Sequence, residues 1–289
     1  MFPGLLQTLR PKQWTKNAFI FAPLIFDIKL LQFEPMVNTI AGFVLLCLIS
    51  GTIYLINDLV DVEKDRQHPT KKNRPIPSGR LPINSAITAA VILPTFCLPI
   101  AFFINSTFGA VLLSYFLLQT IYSFLLKNIV IIDVLTIAAG FVLRVVSGVV
   151  LIDAERFSPW LYVFTVLLAL FLGFGKRRQE IVLLKGQALN TRAILNEYNL
   201  PFLDSMMSIV TTGTIITYAF YTFSAPNLPD NHLMMVTIPF VMYGIFRYLY
   251  LVHVRGDGGA PDEVLLTDRP LQIDLLLFGL TVFIILYLL

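Results

Sequence analysis

The sequence predicts an all-α, polytopic membrane protein. Of its 289 residues, 56% are hydrophobic and only 13% are charged, and the mean hydropathy is +0.77. A soluble domain usually has about a quarter of its residues charged. Apolar runs close to the ~20 residues that cross a bilayer recur from end to end. Because exposed strand edges are not tolerated in lipid, we expect these runs to be helices.

The apolar runs predict about nine transmembrane helices. The first is the shortest, and Pro23 and Asp27 interrupt it. No small-residue cleavage site follows it, so we interpret it as a retained span rather than a signal peptide. We find no solenoid repeat or low-complexity tract, only a weak pseudo-repeat in which the loops after the second and sixth spans occupy matching positions. We expect residues 1–289 to form a single domain. The predicted spans are Asn17–Leu31, Val37–Ile56, Asn84–Ile104, Thr107–Leu126, Val130–Leu151, Pro159–Phe174, Asp204–Phe223, Leu233–Val252 and Leu271–Leu289.

Positive charges lie almost entirely in one alternating set of the connections. The opposite set has only Lys29 and Arg156, while Arg144 and Arg247 lie inside spans. Connections rich in Lys and Arg stay in the cytoplasm, so we expect the N-terminus and the polar motifs at the cytoplasmic face of the cell (inner) membrane. The basic residues of the first set are Arg10, Lys12, Lys16, Lys64, Arg66, Lys71, Lys72, Arg74, Arg80, Lys127, Lys176, Arg177, Arg178, Lys185, Arg192, Arg255 and Arg269.

The segment Asn57–Asp65, which follows the second apolar run, is rich in carboxylates. On a helix, Asp58, Asp61 and Asp65 have i, i+3, i+7 spacing and share one broad face. Carboxylates so close repel one another, and a hard divalent cation removes this penalty. Mg²⁺ held by one or two carboxylates usually takes a polyphosphate as its other partner. The segment therefore predicts a Mg²⁺–diphosphate site at a membrane surface, with Asn57 and the three aspartates as ligands.

The loop Arg66–Arg80 brings basic residues close to these carboxylates. Lys71 and Arg74 could neutralise one side of a polyanion while a metal ion neutralises the other. A solvated loop that obeys the positive-inside rule would explain the lysines but not the aspartates. We therefore favour a phosphate-binding loop.

The run Arg10–Asn17 opens the chain and places Lys12 and Lys16 one helical turn apart. Such a run could be an amphipathic anchor attracted to anionic lipid. It could equally bind phosphate, and the residues alone leave both interpretations open.

Two ionisable residues, Asp133 and Arg144, lie inside the fifth predicted span. Burial of charge in a membrane is expensive, so such residues are functional candidates, although they could also pair with neighbouring helices as structure. They share a helix face but, at about three turns, are too far apart to pair directly. Tyr122 and Lys127 shortly precede this span and complete a third polar group.

The run Gly175–Glu180 places three consecutive cations, Lys176–Arg178, directly after the sixth predicted span. These cations could serve only as topology signals. Beside an acidic metal site on the same membrane face, they could instead receive phosphate.

These motifs together resemble the UbiA-type intramembrane prenyltransferase superfamily. The pattern Asn57-Asp58-x-x-Asp61-x-x-x-Asp65 resembles the first aspartate-rich motif of that superfamily. The resemblance implies nine helices around a central cavity that opens to the cytoplasm. Further motifs resemble the decaprenyl-phosphate phosphoribosyltransferase branch and extend the resemblance to nearly the whole chain. They are Arg10–Asn17, His68–Lys71, Arg74–Ile76, Lys176–Arg177 and Leu266–Gln272.

The resemblance implies a Mg²⁺-dependent enzyme of cell-wall polysaccharide precursor synthesis. It would transfer 5-phosphoribose from phosphoribosyl pyrophosphate to a membrane polyprenyl (decaprenyl) phosphate and release pyrophosphate. Asp58, Asp61 and Asp65 are then the expected catalytic residues. We expect no nucleic-acid partner, and the sequence indicates neither oligomeric state nor polyprenyl length. The expected substrate-binding residues are Lys12, Lys16, Asn17, Lys71, Arg74, Tyr122, Lys127, Asp133, Arg144, Lys176 and Arg177.

The chain departs from the superfamily pattern after the sixth span. Typical members carry a second aspartate-rich motif there, whereas this chain has Lys176–Glu180. A basic cluster cannot bind a second Mg²⁺ but can hold a free phosphate, such as the 5-phosphate of phosphoribosyl pyrophosphate. The departure thus favours phosphoribosyl transfer over the alternative, a polyprenyl diphosphate-dependent prenyltransferase acting on an aromatic or other acceptor. A transporter fits poorly, because its polar groups usually lie near the membrane midplane.

Overall fold

The computed structural model describes residues 2–67, 71–154, 158–184, 193–226, 228–256 and 261–289. Within these ranges the protein is helical and has no β-strand. The α-helices are α1 (Phe2–Thr8), α2 (Phe21–Phe26), α3 (Phe33–Val60), α4 (Val62–Gln67), α5 (Ile83–Ile104), α6 (Ser106–Phe124), α7 (Ile132–Leu151), α8 (Pro159–Leu184), α9 (Leu200–Ser224), α10 (Ile238–Tyr250), α11 (Pro261–Thr267) and α12 (Arg269–Tyr287). Shorter 3₁₀ segments cover Pro11–Ile20, Lys71–Asn73, Leu126–Asn128, Ala193–Glu197 and Leu233–Thr237, and a π-helix covers Leu251–Arg255.

The prediction of an all-α membrane protein is confirmed. Among the described residues, eight helices are long and apolar enough to cross a membrane. Their outer surfaces expose large apolar side chains such as Phe96, Phe103 and Ile209, which suits contact with lipid rather than water. One of the eight, Leu233–Arg255, is a composite in which a 3₁₀ turn leads into α10 and a π-helix follows it.

The first predicted span, Asn17–Leu31, does not form a long helix. It comprises the end of the 3₁₀ segment Pro11–Ile20 and the six residues of α2. Pro23 lacks the N–H that would continue the preceding turn, so a long uninterrupted helix is disfavoured there. Ile28 has a positive φ of 55°, a conformation that cannot continue a right-handed helix.

Helix α8 is longer than the sequence predicts. The predicted span ends at Phe174, whereas the helix continues to Leu184, so the basic run Lys176–Arg178 is helical rather than part of a loop. Lys, Arg, Gln, Glu and Leu in this stretch are good helix formers, and no proline stops them. Arg177 also bonds to Glu180 at i, i+3 spacing, which supports the helix.

The chain divides into two compact units. Unit 1 contains Met1–Leu24, Gln32–Leu126 and Leu143–Asp153. Its core is built from α3, α5, α6 and the 3₁₀ segment Pro11–Ile20, with Leu46, Ile49 and Phe108 fully buried. A side chain at Gly148 would collide with the backbone carbonyl of Ile20, so glycine is required where the end of α7 meets this segment.

Unit 2 contains Ile25–Leu31, Lys127–Val142 and Ala154–Leu289. Its main core packs Val134, Phe171, Leu203 and Tyr248 from α7, α8, α9 and α10. The rings of Phe171 and Tyr248 meet edge to face with centroids 5.2 Å apart. Apolar packing therefore fixes the helices of unit 2 that carry one of the polar clusters described below.

Candidate functional site

The acidic segment Asn57–Asp65 begins at the end of α3 and continues into α4. Asp61, between the two helices, has φ −95° and ψ 9°. Its N–H nevertheless bonds to the carbonyl of Asn57 at 3.0 Å, and the N–H of Asp65 bonds to the carbonyl of Asp61 at 2.8 Å. The helical hydrogen-bond pattern continues through the break, so the aspartates keep approximately helical spacing.

Asp58 and Asp65 converge on a single guanidinium nitrogen. Arg74 Nη1 donates to Asp58 Oδ1 at 3.0 Å and to Asp65 Oδ2 at 2.6 Å. The two aspartates are only 1% and 3% exposed. Buried carboxylates are costly unless a cation compensates them, and Arg74 does so here. The two residues therefore turn their carboxylates to the same point, as the i, i+7 spacing predicts.

Arg10, near the N-terminus, also binds the carboxylate of Asp58. Its Nη2 donates to Asp58 Oδ1 at 2.6 Å, and its guanidinium carbon lies 4.7 Å from the centroid of the Tyr54 ring. The backbone of Arg10 is left-handed, with φ 52° and ψ 63°, which is uncommon for a residue other than glycine. Sequence reasoning did not select Arg10 as a site residue, because its partner lies 48 positions away.

Residues 71–80 fold back along the acidic segment. Lys71 Nζ lies 3.9 Å from Asp65 Oδ1, and this lysine is 44% exposed on its side chain. Gly79 takes a positive φ of 78°, and Arg80 donates to the carbonyl of Asn73 and thereby closes the turn. Of the motif His68–Lys71, residues 68–70 lie outside the described part of the chain.

The donor set around Arg74 fits a hard cation. Among the residues that the structure describes, no three His, Cys, Asp or Glu side chains are grouped closely enough to hold a metal ion. Two carboxylates, Asp58 and Asp65, do converge, and one positively charged nitrogen lies between them. Mg²⁺ commonly uses one or two carboxylates and completes its shell with water and substrate phosphate. Asn57 and Asp61 lie half-buried on the same segment.

A second polar cluster lies among the helices of unit 1, around Arg144 of α7. Arg144 Nε donates to Asn17 Oδ1 at 2.8 Å, and its Nη2 donates to Tyr115 Oη at 2.6 Å. Asn17 Nδ2 in turn donates to Ser50 Oγ at 3.0 Å. Arg144 is 7% exposed and Asn17 is 1% exposed. Two of the predicted substrate-binding residues, Asn17 and Arg144, are thus brought together.

A third cluster, in unit 2, is centred on Asp133 and Arg177. Arg177 Nε donates to Asp133 Oδ2 at 2.6 Å, and its Nη1 donates to Glu180 Oε2 at 2.7 Å. Asp133 also accepts a bond of 2.7 Å from the hydroxyl of Tyr198. The predicted site residues Asp133 and Arg177 therefore contact each other, and Asp133 pairs with Arg177 rather than with Arg144.

Tyr198 was not selected by sequence reasoning. It lies between the 3₁₀ segment Ala193–Glu197 and α9, where an isolated aromatic residue gives no distinctive signal. Its hydroxyl accepts a bond of 2.7 Å from the N–H of Ile131, which has a positive φ of 69°. Burial, followed by the hydrogen bond to Asp133, raises the pKa of the Tyr198 phenol above its usual value. Tyr198 therefore remains neutral and keeps its proton for Asp133.

Arg178, the next residue of α8, is also paired. Its Nε donates to Asp204 Oδ1 at 2.6 Å, and its Nη1 donates to the carbonyl of Val252 in the π-helix at 3.2 Å. His253 Nε2 lies 3.2 Å from the same Asp204 oxygen. Two of the three consecutive cations therefore neutralise carboxylates of unit 2.

The remaining predicted site residues are at least partly accessible. Lys12 is exposed. Lys16, Tyr122, Lys127 and Lys176 are half-buried. A polyanion could therefore reach part of the surface of each of these side chains.

Comparison with known proteins agrees with this architecture. A decaprenyl-phosphate phosphoribosyltransferase from Corynebacterium glutamicum is 35% identical over 279 residues, which cover 93% of this chain and 82% of the relative. A protein of the same name from Mycolicibacterium smegmatis is 31% identical over 283 residues and 88% of its own length. A protoheme IX farnesyltransferase from Flavobacterium psychrophilum is 38% identical over a shorter match of 80 residues.

Solved structures share the fold. A UbiA homolog from Archaeoglobus fulgidus, solved with DMAPP and Mg²⁺, superimposes with a TM-score of 0.74 over 99% of both chains at 19% identity. Residues 30–262 of the chain match the UbiA prenyltransferase family, which is more than half of its length. The chain is therefore a multi-pass membrane protein that belongs to the UbiA prenyltransferase family.

Proposed function

We propose that the protein is a polyprenyl-phosphate phosphoribosyltransferase. It would transfer 5-phosphoribose from phosphoribosyl pyrophosphate to decaprenyl phosphate or a similar lipid, and release pyrophosphate. The main observation behind the proposal is that the carboxylates of Asp58 and Asp65 converge on one position, which the Nη1 nitrogen of Arg74 occupies. The name that the relatives from Corynebacterium glutamicum and Mycolicibacterium smegmatis share, over 93% of this chain, supports the choice of substrates.

Asp58, Asp61, Asp65 and Asn57 would hold Mg²⁺ against the diphosphate of the donor. When bound, Mg²⁺ supplies charge neutralisation to the leaving pyrophosphate, which is worth several kcal/mol in reactions of this kind. The task of the aspartates is to fix the position of the diphosphate at the end of α3. Asp58 and Asp65 are well placed for this, because both are buried and held on helical backbone.

The cations of the chain would bind the phosphates that the aspartates do not reach. Lys71 and Arg74 lie beside Asp65. Lys12, Lys16, Lys127 and Lys176 are accessible enough to contact the 5-phosphate or the lipid phosphate, and Tyr122 could donate to an anionic oxygen. Arg177 is paired with Asp133 and Glu180. Its contribution would be to fix the position of α8, the helix that also carries Lys176.

The reaction exchanges one bond at the anomeric carbon of ribose. The bond from this carbon to pyrophosphate breaks, and an oxygen of the lipid phosphate forms a new bond from the opposite face. We therefore expect inversion at this carbon. A phosphate monoester with a second pKa near 6 is already largely a dianion at neutral pH, so a strong general base is unnecessary. The protein contributes mainly positioning and electrostatic stabilisation.

The substrates also account for a site on membrane helices. The lipid acceptor cannot leave the bilayer, whereas the sugar donor is soluble in water. The distribution of Lys and Arg favours a cytoplasmic N-terminus and a cytoplasmic entry for the donor. Apolar helix faces exposed to lipid would let the polyprenyl chain leave sideways.

A second candidate is transfer of a prenyl group from its diphosphate to an aromatic or other acceptor. Two observations favour it. Arg177 and Arg178 are engaged with carboxylates, which weakens the argument that the basic run receives a free phosphate. A farnesyltransferase also matches part of the chain.

Labelled donors distinguish the two candidates. Purified protein is incubated with Mg²⁺, decaprenyl phosphate and phosphoribosyl pyrophosphate labelled in the ribose. We expect label in the lipid fraction, and loss of that transfer when a chelator removes the metal. Label that stays in the aqueous phase, together with prenylation of 4-hydroxybenzoate from a polyprenyl diphosphate, would support the second candidate instead.

A further inference from the structure

Two arginines bind a carboxylate that the proposed function assigns to the metal. Arg10 Nη2 and Arg74 Nη1 lie 2.6 Å and 3.0 Å from the same atom, Asp58 Oδ1. A carboxylate oxygen has about two lone-pair sites, and two charge-assisted bonds fill both. A cation that binds this oxygen must therefore displace at least one guanidinium. Arg74 also bonds to Asp65 Oδ2 at 2.6 Å, so the same guanidinium neutralises both aspartates.

We propose, on the basis of the proposed function, that Arg10 and Arg74 are exchangeable partners of the acidic segment. They neutralise Asp58 and Asp65 until Mg²⁺ and the donor arrive, and then turn to the phosphate oxygens of the donor. Arg10 thereby becomes a donor-binding residue, and the arginine pairs make binding of the metal depend on binding of the donor.

The burial of the partners supports exchange. The side chains of Asp58 and Asp65 are 2% and 4% exposed, whereas those of Arg10 and Arg74 are 22% and 29% exposed. The arginines therefore cover the carboxylates on the accessible side. A polyanion that approaches this surface meets the guanidinium groups before it reaches the aspartates.

The backbone and ring contacts of Arg10 hold its guanidinium at this surface. Its left-handed φ of 52° is an unfavourable conformation for a residue with a side chain. The centroid of the Tyr54 ring lies 4.7 Å from the guanidinium carbon of Arg10. This contact can persist while the guanidinium nitrogens exchange a carboxylate for a phosphate. Residues with an unfavourable backbone conformation cluster at active sites and ligand-binding sites.

Charge balance predicts how metal and donor influence each other. The charges of two aspartates and two arginines cancel, and Lys71 adds a further positive charge beside Asp65. A divalent cation alone would add uncompensated positive charge beside two arginines, which is unfavourable where water is scarce. A diphosphate that arrives with the metal supplies negative charge for the metal and for both guanidinium groups. Metal and donor should therefore each increase the affinity for the other, by the same factor.

This exchange predicts effects of opposite sign for one substitution. Arg10→Met removes a competitor of the metal, so binding of the metal alone should become roughly tenfold tighter. The same change removes a phosphate ligand, so binding of phosphoribosyl pyrophosphate at saturating Mg²⁺ should become roughly tenfold weaker. A residue with only a structural role would weaken both, or change neither.

Arg66→Met provides a matched control. Arg66 lies in the same part of the chain and is exposed, and among the described residues its ion pair is with Glu63 at the surface, at 2.7 Å. The substitution Arg66→Met removes one arginine charge, as Arg10→Met does, but leaves the ion pairs of Asp58 and Asp65 unchanged. Both affinities should remain within about twofold of the unmodified protein.

The test measures two dissociation constants for purified full-length protein in detergent. Binding of Mn²⁺ without donor is followed by electron paramagnetic resonance, and binding of phosphoribosyl pyrophosphate at saturating Mg²⁺ is followed by calorimetry. Tighter Mn²⁺ binding with weaker donor binding in Arg10→Met, and neither in Arg66→Met, supports the exchange. Unchanged or weaker Mn²⁺ binding in Arg10→Met overturns it.

Two further variants separate the possible failures. If Arg10→Met does not fold, Arg10→Lys is measured, which keeps the charge but offers a single donor group, and the same signs are expected with smaller factors. Asp58→Asn tests the assignment of the metal itself. If Asp58→Asn binds Mn²⁺ as the unmodified protein does, the proposed metal site fails. If Asp58→Asn loses Mn²⁺ and Arg10→Met gains nothing, only the exchange fails.

Discussion

Arg177 donates from Nε to Asp133 Oδ2 at 2.6 Å, and neither side chain is more than 1% exposed. The pair joins α8 to α7 within unit 2, and Glu180 and Tyr198 complete its hydrogen bonds. A buried pair of this kind is costly to break, because the remaining partner keeps its charge without compensation.

Arg177→Met should therefore lower the free energy of unfolding by about 3–5 kcal/mol. The double variant Arg177→Met, Asp133→Leu should recover most of this loss, because no buried charge remains. Thermal unfolding in detergent measures both. If Arg177→Met keeps full stability but loses donor binding, Arg177 is a phosphate ligand rather than a support for α8.

Tyr198→Phe should destabilise the protein by about 1–3 kcal/mol, because Asp133 and the N–H of Ile131 each lose a buried partner. Proton linkage gives a second signature. The pKa of Tyr198 is raised in the folded protein, so the folded state holds this proton more tightly than the unfolded state. Stability should fall as the pH rises above about 10, the usual tyrosine pKa.

That alkaline loss of stability should be smaller in Tyr198→Phe than in the unmodified protein, since phenylalanine does not titrate. Unfolding is measured between neutral pH and the alkaline range for both proteins. An identical pH dependence in the two would show that Tyr198 does not carry it.

Gly148→Ala should destabilise unit 1, because the new methyl group would collide with the carbonyl of Ile20. Overpacking of this kind typically costs about 1–3 kcal/mol. Gly279→Ala in α12 is the matched control, since nothing lies within 4 Å of the added carbon. The control should be neutral or slightly stabilising, because alanine is the better helix former. Equal unfolding temperatures for the two variants would contradict the close contact.

The sequence was sufficient for the features that depend on local pattern. Hydropathy located the long membrane helices, and the spacing of Asp58 and Asp65 placed both carboxylates on one face. Prediction of helix length from the sequence failed where local signals compete. Pro23 and a left-handed Ile28 leave only a short helix in the first apolar run. Charged helix formers carry α8 past the point at which hydropathy falls.

Contacts between residues far apart in the chain could not be predicted from the sequence. Arg10 reaches Asp58 across 48 positions, and Tyr198 reaches Asp133 across 65. A charge or an aromatic residue in the sequence does not reveal its partner, because that partner is set by the packing of whole helices. The same limit hid the ion pairs of Arg177 and Arg178, which in the sequence resemble an accessible basic patch.

In the proposed function, the carboxylates of Asn57–Asp65 hold the diphosphate of the donor through Mg²⁺. Asp61→Ala removes one of these carboxylates. Glu63→Ala is its control, since Glu63 belongs to the same segment and is 74% exposed on its side chain. Transfer of labelled phosphoribose to decaprenyl phosphate is measured for both. We expect a loss of at least about 100-fold in Asp61→Ala and near-normal transfer in Glu63→Ala. Near-normal transfer by Asp61→Ala would show that the acidic segment does not hold the diphosphate.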